Sequence, residues 1–600
     1  MTALFPPFNR RASFRKLPYF YEAGRGPHVR SQGGPSLNLN FANMTSGAEL
    51  AAKGVTFSRN SNATYYDSTG KLTYAPNNLG LWSNDGSKQA AGQWVVDGTT
   101  FSNSTGTLPD GSQGQVNRIT LASPGNFYPR MGVTLIGGTN YIVSAWVRSF
   151  GNNPSTLKPA IFDGSTWQTG STVTLTTEWQ RIYFKATQLS TSANGGGFYL
   201  SGAVGQGIEW CWAQLEAVTY QTTPGPYNPT TSAAYYGPRF DYDPVTLQPK
   251  GLLTEEARTN LAVNSGDFTT SSYIKGGLSI TRSGTGPDGV SNSLNFITED
   301  TSTGSHYFFG TGMSLTAGVT YTVSVFVKPG TQRYISLRGE NTAASTYPWI
   351  TFDTQTLAIN ATANVISSGY QNVGNGIYRI WLTWLTFANV TGNAVLAGSN
   401  VSTAPNVGST VGNSYTGTSQ TWYAWGLQLE AGSFATSYIP TAASSVARAA
   451  DLASMTGTNF SSWYNQSEGT FIADGAVEGS ATTPAIMGVD DGTSSNRIVL
   501  RNDLLTPLVR YVSSSGNYSA SGGSWPANIF NKLGFAYKAS DQGAAFAGTG
   551  ISVTPQSAVP TVNQLQIGNG NTSLAWNGWI KSITYYRQRL SNAQLQRLTQ

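Results

Sequence analysis

Cysteine and histidine are nearly absent from this chain of 600 residues. Cys211 is the only cysteine, and His28 and His306 are the only histidines. A lone cysteine cannot form an intramolecular disulfide, and a zinc site made of Cys and His needs more ligands than the chain provides. A nucleophilic triad would have to use one of the two histidines, and neither lies near a nucleophile motif. These absences remove several reaction classes, whereas hydrolysis by carboxylates remains open.

Long apolar runs are also missing. No stretch of about 20 apolar residues occurs, and the first residues, MTALFPPFNRRASF, lack the apolar core that a signal peptide needs. We therefore expect no membrane insertion, and any role outside the cell needs an export route other than a signal sequence.

The residues that are abundant favour β-structure. Gly, Ser, Thr, Asn, Tyr, Trp and Val dominate, charged residues make up only 11%, and helical runs of Ala, Leu, Glu and Lys hardly occur. The length exceeds what one hydrophobic core supports, so several domains are expected. Short alternating segments bounded by Gly, Pro, Asn or Asp are typical of sandwiches and jelly rolls. The sequence predicts an all-β, multidomain protein of tandem β-sandwich or jelly-roll modules with an extended N-terminal arm.

An internal repeat supports this interpretation. Three pairs of segments occur in the same order: NNLGLWSNDGS (77–87) with TNLAVNSGDFT (259–269), GGTNYIVSAWVRS (137–149) with AGVTYTVSVFVKP (317–329), and EWCWAQLEAVTYQTTPGPYNPTT (209–231) with TWYAWGLQLEAGSFATSYIPTAA (421–443). Side chains alternate between two faces within each unit, with Tyr141 and Val143 on one face and Ile142 and Ser144 on the other. Each unit is therefore predicted to be one sandwich.

Basic and aromatic residues are concentrated near the N-terminus. The first 60 residues contain eight basic and two acidic side chains, so this segment alone carries +6, the formal charge of the whole chain. We predict an anchoring arm over residues 1–35 that docks on a protein partner. Nucleic acid is the less favoured partner, because no recognition-motif spacing is present. The candidate anchoring residues are Arg10, Arg11, Phe14, Arg15, Lys16, Tyr19, Phe20, Tyr21, Arg25 and Arg30.

An acidic stretch over residues 239–261, RFDYDPVTLQPKGLLTEEARTNL, is either a site or a joint. Its paired acids, Asp241 with Asp243 and Glu255 with Glu256, would suit acid/base chemistry or calcium. Aspartates near a proline favour turns, however, and Thr254 is placed to cap a short helix that begins at the two glutamates. We predict a hairpin followed by a helix, no catalytic residue and no cofactor, with structural calcium as an alternative.

Two segments resemble a known family. VTFSRNSNATYYDSTGKLTYAPNN (55–78) and PRFDYDPVTLQPKGLLTEEARTNL (238–261) are similar to two halves of a segment common in tailed-phage fibre and spike proteins. In that family the first half runs directly into the second, whereas here the first repeat unit separates them. This departure suggests that a carbohydrate-binding-module-like sandwich was inserted into the joint.

The C-terminal sequence resembles a second family. A strand, GWIKSITYY, leads into RQRLSNAQLQRL, where Ser591 is a candidate N-cap, as in concanavalin-A-like (laminin-G-like) lectin sandwiches. The predicted domains are then an anchoring arm (1–35), a hairpin segment as the first half of the joint (36–80), a carbohydrate-binding-module-like sandwich (81–230), the second half of the joint (231–262), a second such sandwich (263–450) and the lectin-like sandwich (451–600).

The resemblance implies a virion protein, made in the bacterial host cytoplasm and released with the particle. It would be a tail fibre or spike, attached by its arm to portal, tail or capsid proteins, commonly as a homotrimer, and would present its modules to host-surface glycans. A capsid head fibre or decoration protein without a receptor role is the alternative, and a polysaccharide depolymerase is a further one. We expect no enzymatic activity, because carboxylates are sparse and no long right-handed β-helix repeat is visible.

Tryptophan is the residue type best suited to bind neutral ring-shaped ligands by stacking, and the chain has 16. Trp167, in FDGSTWQTG, and Trp349, in STYPWITFD, occupy similar positions in the two repeats, and Tyr347 accompanies the second. Both lie in less regular stretches among Ser, Thr and Asp residues that could hydrogen-bond the hydroxyls of a ligand. A loop aromatic that only covers the sandwich edge is the alternative. A polar loop of the last domain is a candidate for sugar or calcium, with a solvated turn as its alternative; it contains Asp490, Asp491, Asn496 and Arg497.

Overall fold

The structure is a computed structural model that describes residues 34–89, 94–95, 98–150, 156–340, 347–362, 364–392, 395–400, 413–479, 483–570 and 575–600. The predicted anchoring arm, with all ten of its candidate residues, lies outside these ranges except for its last two positions. Among the described residues, no helix has the length and apolar character needed to cross a membrane.

The described chain begins with seven short elements, which precede the first repeat unit. They are β1 (Leu37–Asn40), a 3-10 helix (Phe41–Asn43), α1 (Gly47–Ala52), β2 (Thr56–Ser58), β3 (Thr64–Tyr66), β4 (Leu72–Tyr74) and β5 (Asn77–Asn78). The side chain of Ser46 caps α1 by accepting a hydrogen bond from the backbone N–H of Glu49 at 3.3 Å.

The first repeat unit is a sandwich of two antiparallel sheets. Its strands are β6 (Trp94–Val95), β7 (Thr99–Thr107), β8 (Gln113–Leu121), β9 (Gly125–Phe127), β10 (Arg130–Met131), β11 (Asn140–Phe150), β12 (Thr156–Phe162), β13 (Trp167–Thr169), β14 (Val173–Thr174), β15 (Gln180–Thr187), β16 (Gly196–Gly202) and β17 (Gly207–Val218). One sheet has the order β15-β11-β17-β8-β7, and the other has the order β13-β12-β16-β10-β6, with β14 beside β12 and β9 beside β16. The two sheets enclose one apolar core, to which Ile119, Val143 and Trp210 belong.

Four strands connect the first unit to the second. They are β18 (Tyr235–Tyr236), β19 (Arg239–Tyr242), β20 (Pro249–Thr254) and β21 (Arg258–Asn260). The hairpin predicted in this segment is present as β19 and β20, which pair antiparallel. The helix predicted after Thr254 is wrong, because Glu255 is drawn into ion pairs and Arg258–Asn260 pairs as a strand.

The second repeat unit is again a sandwich. Its strands are β22 (Tyr273–Gly276), β23 (Leu278–Arg282), β24 (Asn295–Glu299), β25 (Thr303–Gly304), β26 (Tyr307–Gly310), β27 (Met313–Leu315), β28 (Thr320–Pro329), β29 (Tyr334–Gly339), β30 (Trp349–Asp353), β31 (Ile359–Ala361), β32 (Ser367–Asn372), β33 (Tyr378–Leu385), β34 (Val390–Gly392), β35 (Val395–Asn400), β36 (Tyr415–Thr416) and β37 (Thr421–Ala431). The two main sheets have the orders β23-β24-β37-β28-β33-β32 and β22-β26-β35-β29-β30-β31.

The repeat predicted from the sequence is confirmed by the sheet orders. β7, β8, β17, β11 and β15 of the first unit correspond in order to β23, β24, β37, β28 and β33 of the second. Even an irregularity is repeated, because the register shifts between Ser144 and Trp146 in β11 and between Ser324 and Phe326 in β28. Such bulges re-aim side chains locally and are conserved features of a fold.

One buried asparagine holds each repeat together where the chain enters it. The Asn78 side chain accepts hydrogen bonds from the backbone N–H groups of Gly80 and Leu215 at 3.1 Å each. The Asn260 side chain accepts from Ala262 and Leu429 at 3.0 Å each. The entering chain is thereby bonded to the last strand of its own sandwich.

The C-terminal unit is the third sandwich. Its elements, after β38 (Val446–Arg448), are β39 (Leu452–Thr456), α2 (Thr458–Ser461), β40 (Glu468–Val477), β41 (Ala485–Asp490), β42 (Arg497–Asp503), β43 (Thr506–Ser513), β44 (Gly516–Ser521), β45 (Asn531–Lys538), β46 (Gly543–Phe546), β47 (Thr549–Ile551), β48 (Gln564–Ile567), β49 (Gly578–Tyr586) and α3 (Asn592–Leu598). The predicted cap is confirmed, since Ser591 forms a capping box with Gln594. The all-β class and the tandem sandwiches are also confirmed for the described residues.

The C-terminal sandwich takes strands from distant parts of the chain. One sheet has the order β19-β20-β49-β40-β45-β46-β47, with β1 also paired to β49, and the other has the order β2-β39-β48-β41-β42-β43-β44. Both halves of the predicted joint therefore contribute strands to this unit. The domain boundaries given above stay predictions.

Both repeats leave and rejoin the C-terminal sandwich through paired strands. β5, before the first repeat, pairs with β18 after it. β21, before the second repeat, pairs with β38 after it. Each repeat is thus inserted in the C-terminal sandwich and closed at its base by a two-stranded ladder, whereas the sequence suggested an insertion only for the first.

A buried ion network joins these insertion points. The Asp451 carboxylate pairs with Arg59 at 2.7 Å and with Arg239. The Glu255 carboxylate pairs with Arg239 at 2.5 Å and with Arg448 at 2.7 Å. All five side chains, which we call the ion network, are 0% exposed.

The charges in the ion network are stabilised by one another and by hydrogen bonds. Burial alone would raise the pKa of Glu255, but Arg448 and Arg239 outweigh it and hold the pKa well below its ordinary value. The backbone N–H of Ser437 adds a hydrogen bond to the same carboxylate at 2.7 Å. A charge left without its partner here would be buried and uncompensated.

Replacing Arg448 with Met should lower the free energy of unfolding by about 3–5 kcal/mol, because Glu255 would lose one of its two guanidinium partners in a dry environment. The matched control is Lys538→Met, which breaks a pair whose side chains are 56% and 32% exposed and should therefore cost far less. Calorimetric unfolding of the full chain measures both. Equal effects of the two variants would contradict the importance given to the ion network.

Candidate functional site

The outer face of one sheet in the first sandwich carries a group of aromatic rings. Strand alternation directs Leu157 and Ile161 of β12 into the core. The alternate residues of the same strand, Lys158 and Phe162, are half-buried on the opposite face. On the neighbouring strand β16, Tyr199 follows the buried Phe198 and lies on that outer face as well.

Trp167 is at the centre of this group. It begins β13 and pairs across the ladder with Phe162. The ring of Tyr128 stacks on the indole with centroids 4.6 Å apart and an interplanar angle of 15°. Tyr199 continues the row, 5.1 Å from Tyr128. Tyr128, Phe162, Trp167 and Tyr199 are half-buried, and we call them the aromatic face.

Two cations border the aromatic face. The guanidinium carbon of Arg130 lies 5.7 Å from the centroid of Trp167, and the ammonium nitrogen of Lys158 lies 5.6 Å from the centroid of Tyr199. Both distances are within the range of cation–π attraction. The face therefore offers apolar ring surfaces together with N–H donors at their edge.

Asp163 fixes the turn that presents Trp167. Its carboxylate accepts hydrogen bonds from the backbone N–H groups of Ser165 at 2.8 Å and Thr166 at 2.7 Å, and from the Gln168 amide at 3.0 Å. These bonds, the Thr166 N–H first among them, lower the pKa of Asp163 to about 2. The Asp and Thr oxygens next to Trp167 are thus engaged in the turn, whereas the sequence suggested them as partners for ligand hydroxyls.

Trp349 holds the matching position in the second sandwich but is covered. It pairs with Arg338 across β29 and β30, as Trp167 pairs with Phe162. Its side chain is only 1% exposed, and Tyr347 lies over the Arg338 guanidinium at 4.7 Å. The prediction that both tryptophans lie in irregular stretches is wrong, because Trp167 begins β13 and Trp349 begins β30. With its ring faces covered, Trp349 offers no open stacking surface, and a ligand role for it and Tyr347 stays a prediction.

In the polar loop of the C-terminal sandwich, the two aspartates accept hydrogen bonds from nearby backbone and amide groups. Asp490 ends β41, is 1% exposed and accepts hydrogen bonds from Gly492 N–H at 2.8 Å and from the Gln564 amide. Asp491 accepts from Thr493 N–H and from the Asn496 amide, both at 2.9 Å. Arg497 begins β42, and burial lowers the pKa of its guanidinium. Sugar or calcium binding by this loop stays a prediction.

The acids of the joint are all engaged in the fold. Asp241 accepts hydrogen bonds from Tyr66 N–H at 2.7 Å and from the Trp579 indole at 2.6 Å. Asp243 accepts from two N–H groups of its own turn, and Glu256 pairs with Arg258 at 2.5 Å. Within the ranges that the structure describes, no group of three or more His, Cys, Asp and Glu residues could hold a metal ion.

Trp167 is predicted from the sequence, but its neighbours in the aromatic face are not. Tyr199 was detectable, because GGFYLSG alternates between core and outer face once it is recognised as a strand. Tyr128 and Arg130 had no such signal. Tyr128 lies in the short connection between β9 and β10, next to Pro129, and Arg130 begins β10. Only the pairing of β9 and β10 with β16 brings them to Trp167.

Comparisons with known proteins give matches only among solved structures. No protein-family model matches the chain, and no curated protein matches it. The CBM40 of a Ruminococcus gnavus IT-sialidase, bound to alpha2,3 sialyllactose, is 14% identical and covers 24% of this chain and 88% of its own, with a TM-score of 0.21. Domains LG4-5 of the mouse laminin alpha1 chain are 8% identical and cover 47% and 88%, with a TM-score of 0.18. A Trypanosoma rangeli sialidase is 11% identical and covers 90% and 98%, with a TM-score of 0.21.

The last match corrects one expectation. It extends over most of the chain and belongs to a sialidase, so the expectation that the chain is not an enzyme does not stand. That expectation rested on sparse carboxylates and a missing β-helix repeat, yet folding can assemble a site from residues far apart in sequence. At TM-scores near 0.2, these likenesses carry no argument about ligand or reaction.

Replacing Asp163 with Ala should destabilise the first sandwich by about 0.5–1.5 kcal/mol at pH 7, because the N–H groups of Ser165 and Thr166 lose the acceptor that orders their turn. The pKa is depressed in the folded state, so this stabilisation is present above the ordinary value of 3.8 and is lost as the pH falls toward about 2. The difference in thermal midpoint between the parent and the variant should therefore shrink over that interval. Glu178→Ala, at an exposed position, is the control, and a difference independent of pH would contradict the role of the carboxylate.

Proposed function

We propose that this chain binds glycans through the aromatic face of its first sandwich, as a tail fibre or spike of a tailed phage. The observation that carries the glycan part is the row of half-buried rings around Trp167, bordered by Arg130 and Lys158. Sugar rings present apolar C–H faces and polar edges, so a cluster of half-buried rings, tilted by 15–60° to one another and with donors beside it, can contact both.

The virion part is supported by the resemblance of residues 55–78 and 238–261 to a fibre and spike segment, and by how these residues fold. The two halves meet in the ion network, where Arg59 from the first and Arg239 from the second share Asp451. A joint that tolerates inserted modules suits a protein that displays binding units on a common base. The N-terminal arm is the proposed attachment to portal, tail or capsid proteins.

Weak single sites are compatible with this role. In the proposed homotrimer, three copies of the aromatic face would engage a surface of repeated glycans at once. Linked sites of this kind raise overall affinity by roughly 10²–10⁴ through effective concentration, without any additional contact.

Trp167→Ala should weaken glycan binding by about tenfold or more, because the central ring of the aromatic face is lost. A glycan array with the full chain selects the ligand, and calorimetric titration measures the affinity of the variant. Trp179→Ala is the matched control, since Trp179 is also a half-buried tryptophan of the same sandwich but packs under Arg148 elsewhere. Equal losses in both variants, or binding by neither parent nor variant, would contradict the proposal.

Cryo-electron microscopy of the particle tests the virion assignment. We expect trimeric density for this chain at the tail or its collar, with the N-terminal arm directed into the particle. Density on the capsid surface would instead support a head fibre or decoration protein, and the tail assignment would then be wrong.

A further inference from the structure

A second concave site lies between the units. A cleft of about 960 Å³ opens where the second sandwich, the hairpin of β19 and β20, and the C-terminal sandwich meet. Trp381 comes from the second sandwich, Lys250 from the hairpin, and Phe530 and Lys581 from the C-terminal sandwich. A volume of this size is typical of sites that enclose small-molecule ligands, and the aromatic face of the first sandwich does not line it.

Positively charged groups line the cleft. The Lys581 ammonium lies 3.9 Å from the centroid of Phe530, and the Lys250 ammonium lies 2.8 Å from that of Trp579. Among the described residues neither ammonium is within ion-pair distance of a carboxylate, although the charges of Asp241, Glu478 and Asp243 act on Lys250 and that of Asp474 on Lys581. Arg379 also lines the cleft and is held by the Ser324 hydroxyl at 2.9 Å. Of the two carboxyl groups in the lining, that of Asp243 accepts the N–H groups of its own turn.

The other carboxyl group, that of Glu478, is incompletely bonded. Its Oε2 atom is buried and, among the described residues, has no hydrogen-bond partner. Burial, reinforced by the charge of Glu255, raises the pKa of Glu478. A buried polar atom without a partner is destabilising unless something else satisfies it. A ligand hydroxyl in the cleft would supply the missing hydrogen bond.

The rim of the cleft contains an unusual turn. Leu504 and Leu505 form the two-residue loop between β42 and β43, and both have left-handed backbones, with φ values of +50° and +65°. Asn-Gly and similar pairs normally occupy such turns, because leucine is strained there. Leu504 is nevertheless 69% exposed and lines the cleft. Strain of this kind is concentrated at functional sites.

We propose that this cleft binds an acidic saccharide, a chain of sugar rings that carry carboxylates. Lys581 and Arg379 would pair with the carboxylates, while Phe530, Trp381 and the strained Leu504 would contact the apolar ring faces. Lys250 and Glu478 would hydrogen-bond ring hydroxyls. This site is separate from the aromatic face, so either can fail without the other.

Calorimetric titration of the full chain with tetragalacturonate, tetramannuronate and a hyaluronan hexasaccharide tests the proposal, with maltotetraose as the neutral probe. We expect at least one acidic probe to bind, with an affinity at least tenfold above that for maltotetraose and falling as salt rises. Lys581→Met should reduce that affinity tenfold or more. Leu504→Asn should reduce it while the thermal midpoint stays the same or rises, because asparagine tolerates the left-handed backbone.

Trp179→Ala, a tryptophan that belongs to neither site, is the control and should leave binding of the acidic probes unchanged, while Trp167→Ala separates the two sites. Loss of that binding in Trp167→Ala but not in Lys581→Met would move the acidic ligand to the aromatic face and overturn the proposal. Failure of all three acidic probes, or equal affinity for maltotetraose, would also overturn it. Binding of oligothymidylate that depends on Lys581, without binding of any acidic saccharide, would replace the proposed ligand with a nucleic acid.

Discussion

The buried ion network is the constraint on which the rest of the structure depends. Its two carboxylates and three guanidinium groups come from four places in the chain, and each is fully excluded from water. Such an arrangement is stable only when every partner is in place, because an unpaired charge in a dry interior is strongly unfavourable. Arginine suits this task, since its planar fork can bond two carboxylates at once, as Arg239 does.

The positions of these residues explain how three sandwiches share one base. Arg59 precedes the first repeat, Arg239 and Glu255 lie between the repeats, and Arg448 and Asp451 follow the second. The chain therefore leaves the ion network to form each repeat and returns to it afterwards. The repeats keep their own bonded skeleton, in which Asn78 and Asn260 make matching hydrogen bonds. Their outer faces are free to differ, and one exposes a tryptophan where the other covers it.

The structural features that depend on neighbouring residues could be predicted from the sequence. Two-residue periodicity, turn residues and the repeated segments identified the strands and sandwiches, and Ser591 was recognisable as a cap because its partner is three residues away. The ion network was beyond such reasoning, since Arg59 and Asp451 are 392 positions apart. The same long-range pairing explains why the acids after Thr254 form no helix. The burial of Trp349 could not be predicted from the sequence either, because it depends on which other segments pack over the ring.

The ion network also explains why the cleft can be a preorganised site. Its walls belong to the second sandwich and to the C-terminal sandwich, whose sheet includes the hairpin of β19 and β20, and both are fixed at a common buried base. Asp241, in the same hairpin as Arg239, bonds the Trp579 indole, and this ring in turn supports Lys250. Lys250 in the lining of the cleft is thus connected to Arg239 of the ion network through Trp579, Asp241 and the backbone of β19. A ligand entering it would need to order few protein groups, and binding is strongest where that ordering is already complete.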